Sequence, residues 1–181
     1  MYKGKKTILR EYRKEDAALA VKLFNDGELR RLLDPRPLLP LSLPEEEAFV
    51  NNAMNPKDRN RAFEFAVTTL QGKYIGGCSF FNFDHRTGTV TIGVSINDKA
   101  YWGKGYGSDA LRTLLRLLFL EMNARKVLLY VFAFNERAIA CYKGLGFREE
   151  GRLKEQVYRE GKYHDEVIMA LFRRDWEKAN G

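Results

Sequence analysis

Two spacings of apolar residues alternate along this chain, one of period two and one near the helical 3.6. In TVTIGVSIN (89–97), Val90, Ile92, Val94 and Ile96 alternate with Thr91, Gly93 and Ser95, the period of a β-strand. FEFAVTTL (63–70) and YIGGCSFFNF (74–83) flank a Gln71-Gly72-Lys73 turn and predict a hairpin. KTILREY (6–12) reads as a short strand. KVLLYVF (126–132) is a continuous apolar run between polar residues, the pattern of a strand buried on both faces. From Phe147 to Phe172, two further strands are expected around Glu160-Gly161-Lys162.

Helical spacing covers 15–26, where Ala17, Ala20, Val21 and Phe24 form one face. A longer helix is expected from Gly105 to Met122, burying Leu111, Leu114, Leu115, Leu118 and Met122. Leu120 falls among the polar positions of that helix, exposed or facing a partner. Asp34–Pro44 holds four prolines and is expected to be a shaped loop. Ser42 and Glu45 then have capping-box spacing, which predicts a helix to about Met54. Asn135 can cap a short helix carrying Ala138, Ile139 and Tyr142, with Gly144 and Gly146 at its end. RRDWEKAN (173–180) is expected to form a last helical turn. The order β-α-α-β-β-β-α-β-α-β-β predicts a mixed α/β fold in a single domain over residues 1–181.

Composition narrows the class. The chain has 181 residues, 45% hydrophobic and 30% charged, ordinary for a globular protein. No apolar run is long enough to span a membrane, and the basic start is not followed by the apolar stretch of a secretory signal. Cys78 and Cys141 lie far apart in apolar surroundings, which suggests neither a metal site nor a disulfide framework. A reducing cytoplasm is the expected location. The net charge is +7, but Lys and Arg are spread from Lys3 to Lys178 with acidic neighbours. That argues against a specific nucleic-acid surface and suits a phosphate-rich cofactor.

The chemistry concentrates after the strand at 89–97. In AYWGKGYGSDAL, Gly103, Gly105 and Gly107 alternate where a helix begins. Glycine permits positive φ and close approach of a ligand to the backbone. Free N–H groups at a helix start hold phosphate oxygens, and Lys104 and Ser108 can add donors. The third glycine falls one place early for the Rossmann fingerprint, and Gly107-Ser108 lacks the lysine of a Walker loop. From the residues alone, a pyrophosphate site is indicated and the ligand stays open.

VSINDKAYWGKGYGSDAL resembles motif A of the GNAT N-acetyltransferases, a strand followed by Gln/Arg-x-x-Gly-x-Gly/Ala at the start of a long helix. Trp102 stands in the Gln/Arg place, which removes one side-chain donor. Trp-Gly-Lys-Gly-Tyr-Gly resembles the RimJ/RimL-like and spermidine-acetyltransferase-like branches. NERAIACYKGLGF (135–147) is similar to the family's second motif, Asn-x-x-Ala/Ser-x-x-x-Tyr-x-x-x-Gly-Phe. The resemblance covers roughly residues 6–172. It implies a single-domain GNAT fold, with a central mixed, largely antiparallel twisted sheet of about seven strands flanked by helices.

The resemblance also implies acetyl-CoA as cosubstrate, no metal, and transfer of acetyl to a primary amine in a ternary complex. The amine would belong to a protein N-terminus, a polyamine, an amino acid or an amino sugar. Val94, Ser95 and Ile96 would pair with pantetheine through the backbone. Trp102, Gly103, Lys104, Gly105, Tyr106, Gly107 and Ser108 would hold the pyrophosphate, and Asn135 the pantetheine amide. Tyr142 would serve as general acid beside the sulfur, and no residue stands out as base among Glu64, Asp84, His85 and Glu166. The acceptor would bind near loop 34–44 and hairpin 158–164. There Arg36 could hold a carboxylate, and Glu45, Glu46 and Glu47 could offset the positive charge that repels a polycation. A homodimer is common in the family. The alternative on the same fold is a non-catalytic acyl-CoA-binding or regulatory module.

Overall fold

The structure, a computed structural model, describes residues 1–180. Eight strands form one sheet: β1 (Tyr2–Lys3), β2 (Thr7–Arg10), β3 (Phe63–Thr69), β4 (Tyr74–Asp84), β5 (Thr89–Ile96), β6 (Lys126–Phe132), β7 (Arg148–Arg159) and β8 (Lys162–Phe172). Their spatial order is β1-β2-β3-β4-β5-β6-β8-β7. Every neighbouring pair is antiparallel except β5 and β6. The two-residue β1 raises the strand number above the expected seven.

Six α-helices accompany the sheet: α1 (Asp16–Phe24), α2 (Gly27–Leu33), α3 (Leu43–Met54), α4 (Tyr106–Arg116), α5 (Glu136–Gly144) and α6 (Arg173–Asn180). The capping box at α3 forms: Glu45 N–H donates to Ser42 Oγ, and Ser42 N–H to Glu45 Oε2 at 2.8 Å. Pro44 lies in the first turn of α3, where its missing N–H costs no helix bond. No helix is long and apolar enough to cross a membrane among the described residues.

Strand alternation distributes the core to the two faces of the sheet. Phe65 and Val67 of β3 join the large core with Leu111, Leu114, Leu115 and Leu118, whereas Ala66 packs with Ala17 and Ala20 of α1 and Val50 and Ala53 of α3. After Arg116 the helix widens into a π turn over Leu117–Glu121. Met122 is half-buried there and Leu120 is 52% exposed, as its polar neighbours suggest.

Two expectations need correction. The short helix α2, capped by Asp26 accepting from Leu29 N–H, fills a stretch for which the apolar pattern indicates no element. β6 is also not buried on both faces. Tyr130 is 48% exposed and Lys126 and Leu128 are only half-buried, whereas Val127, Leu129, Val131 and Phe132 are covered. The reason lies in the sheet itself. β5 and β6 pair only through Thr89–Thr91 against Lys126–Leu128 and then part. Beyond that point, the second face of β6 borders a cavity.

Candidate active site

The parting of β5 and β6 creates the site. On the β6-facing edge of β5, main-chain groups after Thr91 have no partner strand. An extended ligand can pair with such an edge. A groove of about 350 Å³ runs from this edge to the start of α4. Val94, Ser95, Ile96, Trp102, Gly103, Gly105, Tyr106, Gly107 and Ser108 all line it, with Asn135 and Tyr142 from the second motif. At its glycine end, Gly103 and Gly105 have φ of +68° and +81°. No atom lies within 4 Å of where a Cβ would sit on Gly103. Asp109 N–H reaches the carbonyl of Gly105 at 3.0 Å, so the helix ladder begins one residue after Ser108. The first amides of α4 have no carbonyl within the helix to bind, and the residues that carry them line the groove. Leu29, Leu32, Leu33 and Ala138 add apolar lining to the same groove. A pyrophosphate joined to a thin amide chain fits this combination.

Lys104 is the one expected ligand turned away from the groove. Its Nζ donates to the Ala100 carbonyl at 2.7 Å, while its own carbonyl accepts from Lys6 Nζ at 2.7 Å. Trp102 is locked from below, its indole N–H donating to the Ile96 carbonyl at 2.5 Å. That carbonyl is therefore already engaged, leaving Val94 and Ser95 as the freer part of the edge. Ser108 Oγ lies 3.1 Å from Cys141 Sγ.

A second and larger cavity, about 700 Å³, opens on the other side of the same wall. Val94, Ser95, Asn135 and Tyr142 line both spaces. Asn135 caps α5, accepting from Ala138 N–H at 3.2 Å, and its Nδ2 donates to the Leu32 carbonyl at 3.4 Å. The Tyr142 ring is buried against Phe147, with centroids 6.0 Å apart. Its hydroxyl has no hydrogen-bond partner among the described residues. Burial, then the neighbouring Cys141, raises its pKa above that of a free phenol, so the proton stays on the oxygen at neutral pH.

The larger cavity is acidic. Glu45, Glu46, Glu64 and Glu166 line it. Glu46 shares the buried stripe of α3 with Val50 and Ala53, and desolvation raises its pKa. Burial also raises Glu166 and Glu64, the latter partly opposed by the neighbouring Ser79 hydroxyl. Glu64, Ser79 and Gly93 stand in one row across β3, β4 and β5. Glu166 stands on the far wall, opposite Phe132 of β6. Two other candidate bases are excluded from the cavity. Asp84 is exposed and accepts from Arg86 N–H and Thr87 Oγ1 at 2.9 and 3.0 Å, and exposed His85 packs on Phe83.

Loop 34–44 borders the cavity through Pro35, Arg36 and Leu41. Arg36 is already engaged, with Nε and Nη2 each 2.9 Å from the carboxylate of Asp34. Hairpin 158–164 contributes no lining residue. It braces the loop and α2 instead: Arg159 donates to the carbonyls of Asp34 and Arg36, and Glu160 pairs with Arg31 of α2 at 2.9 Å.

Known proteins resemble this chain in sequence and fold. The chain is 26% identical over 178 residues to the SPbeta prophage-derived N-acetyltransferase YokL of Bacillus subtilis, covering 98% of this chain and 96% of YokL. It is 29% identical over 134 residues to the spermidine N(1)-acetyltransferase of Vibrio cholerae, 73% of this chain and 74% of that one. The fold superposes on the crystal structure of the Vibrio cholerae spermidine N-acetyltransferase in complex with CoA and spermine. The TM-score is 0.82 at 22% identity, covering 94% of this chain and 98% of that one. Residues 6–148 match the family model of the acetyltransferase (GNAT) domain, and the chain belongs to that family.

Proposed function

We propose that this chain transfers the acetyl group of acetyl-CoA directly to a primary amine, with Tyr142 as general acid and Glu64 as general base. The observation that carries the reading is the place of Tyr142. Its unpartnered hydroxyl belongs to the one wall shared by the glycine-loop groove and the acidic cavity. A donor in the groove and an acceptor in the cavity would meet there.

When bound, acetyl-CoA supplies an acyl group activated as a thioester. Main-chain N–H groups of β5 near Val94 and Ser95 would orient the carbonyl and stabilise charge on its oxygen. Tyr142 would donate its proton to the sulfur as negative charge develops. Burial makes this phenol a weaker acid than usual but keeps it protonated across the neutral range. Glu64, with its basicity raised by desolvation, would take the proton of the entering ammonium, through Ser79 or a water.

The acceptor proposed is a polyamine or another amine with a second cationic centre. Four carboxylates line the cavity, and its arginine is neutralised by Asp34. The local field is therefore opposite in sign to the net charge of +7. An amino acid would bring its own carboxylate into that field. The spermidine acetyltransferases among the relatives support the same choice.

An amine panel assayed for free-thiol release from acetyl-CoA tests the reading. Spermidine and diamines should be turned over in preference to amino acids and peptide N-termini. No thiol release with any amine would remove the catalytic assignment.

A further inference from the structure

The Arg137 guanidinium carbon lies over the Trp102 ring, 3.6 Å from its centroid, and both residues line the groove that the glycine loop opens. Arg137 makes no hydrogen bond and no ion pair among the described residues. Nearby acidic groups are committed elsewhere: Asp26 and Glu28 hold Lys99 at 2.7 and 3.0 Å. The guanidinium thus has five N–H donors, none used by the protein. It sits over an indole that is itself fixed through Ile96. Stacking on an aromatic face leaves the edges of the guanidinium free to donate in plane, the geometry that suits a phosphate.

We infer that Arg137, presented by Trp102, binds the pyrophosphate of the cofactor and replaces the side-chain donor that residue 102 lacks. This rests on the acetyl-CoA reading of the groove. In the family pattern, a Gln or Arg side chain stands at residue 102. Here Trp102 cannot donate to the ligand, because its single N–H goes to the Ile96 carbonyl. The donor comes instead from the second turn-forming residue of α5, and the indole becomes its platform. Lys104 does not compete for the role, since its ammonium is bound to Ala100. Arg137 borders the same groove as Gly103, Gly105 and Gly107, which favours the pyrophosphate over the 3′-phosphate.

Calorimetric titration with three ligands tests this without reference to turnover: acetyl-CoA, its 3′-dephospho form, and acetyl-pantetheine, which carries no phosphate. Arg137→Ala should weaken the first two about ten- to hundredfold and leave the third unchanged. Arg137→Lys should recover only part of the loss, because an ammonium keeps the charge without the planar fork. In Trp102→Ala, adding Arg137→Ala should cost less than it does in the natural sequence. Loss confined to acetyl-CoA would move Arg137 to the 3′-phosphate and overturn the assignment. Equal loss for acetyl-pantetheine, or none for any ligand, would overturn it too. Failure of the natural protein to bind acetyl-CoA would instead remove the cofactor reading itself.

Discussion

The carboxylate of Asp109 in α4 accepts both the amide N–H of Thr7, at 2.9 Å, and the Thr7 hydroxyl, at 2.8 Å. The amides of Lys5 and Lys6 reach the same carboxylate at 3.0 and 2.8 Å. One side chain therefore ties the beginning of the sheet to the helix that starts at the glycine loop. Burial pushes this carboxyl up, but the donations from Lys6, Thr7 and Lys5 together outweigh it and hold it below the usual carboxylate range. The stabilisation is present above the unfolded pKa of about 3.9 and is lost as pH falls through the lower folded value. Asp109→Asn should cost about 2–4 kcal/mol in urea unfolding at pH 7, and the gap should narrow below about pH 4. Coincident unfolding curves at pH 7 would show the network to be dispensable.

The Tyr142 hydroxyl is partnerless, so removing it strands no protein group. Tyr142→Phe should leave the melting temperature and the acetyl-CoA dissociation constant close to those of the natural protein. It should lower kcat by about 10²-fold or more. Unchanged kcat with a good amine would take Tyr142 out of the mechanism.

Glu64 must be deprotonated to act as a base, and burial raises its pKa. The rate should therefore rise with pH through a value above the ordinary carboxylate range. Glu64→Gln should reduce kcat about 10²-fold and flatten that acidic limb, whereas Glu166→Gln should retain it. A profile that loses its limb only with Glu166→Gln would transfer the role to the far wall.

Two glycines of the loop should respond in opposite ways to an added methyl group. Gly105 has φ +81°, and a Cβ there would sit 3.7 Å from Lys6 Nζ, an ordinary contact. The cost of Gly105→Ala is thus backbone strain, about 1–2 kcal/mol. Gly107 lies inside α4, and its Cβ would meet Ile96 Cγ1 at 3.6 Å. Gly107→Ala should stabilise the helix by about 0.5–1 kcal/mol while weakening acetyl-CoA in the groove. Thermal unfolding and ligand titration of both variants read the contrast, and destabilisation by Gly107→Ala would contradict it.

Local signals account for what the sequence made legible. Alternation in 89–97, the turn glycines, the Ser42–Glu45 capping box and the loop at Gly103–Gly107 each act within a few residues, and each is present in the structure. α2 escaped because about two turns, with apolar groups at Leu29, Leu32 and Leu33, carry too little periodicity. The open face of β6 depends on how its neighbour diverges, which the composition of KVLLYVF does not encode. Asp109 and Thr7 are 102 positions apart, and Trp102 and Arg137 meet only once α4 and α5 are packed. Of the four candidate bases, two reach the cavity because β3 and β8 point them inward. Asp84 and His85 sit at the far turn of β4.

The parallel weld between β5 and β6 is three residues long. Past it, β5 and β6 diverge within the one sheet and leave a slot between their facing edges. A ligand whose amides pair along that slot would act as a ninth, removable strand. On that view, each turnover would add and remove one strand's worth of main-chain pairing.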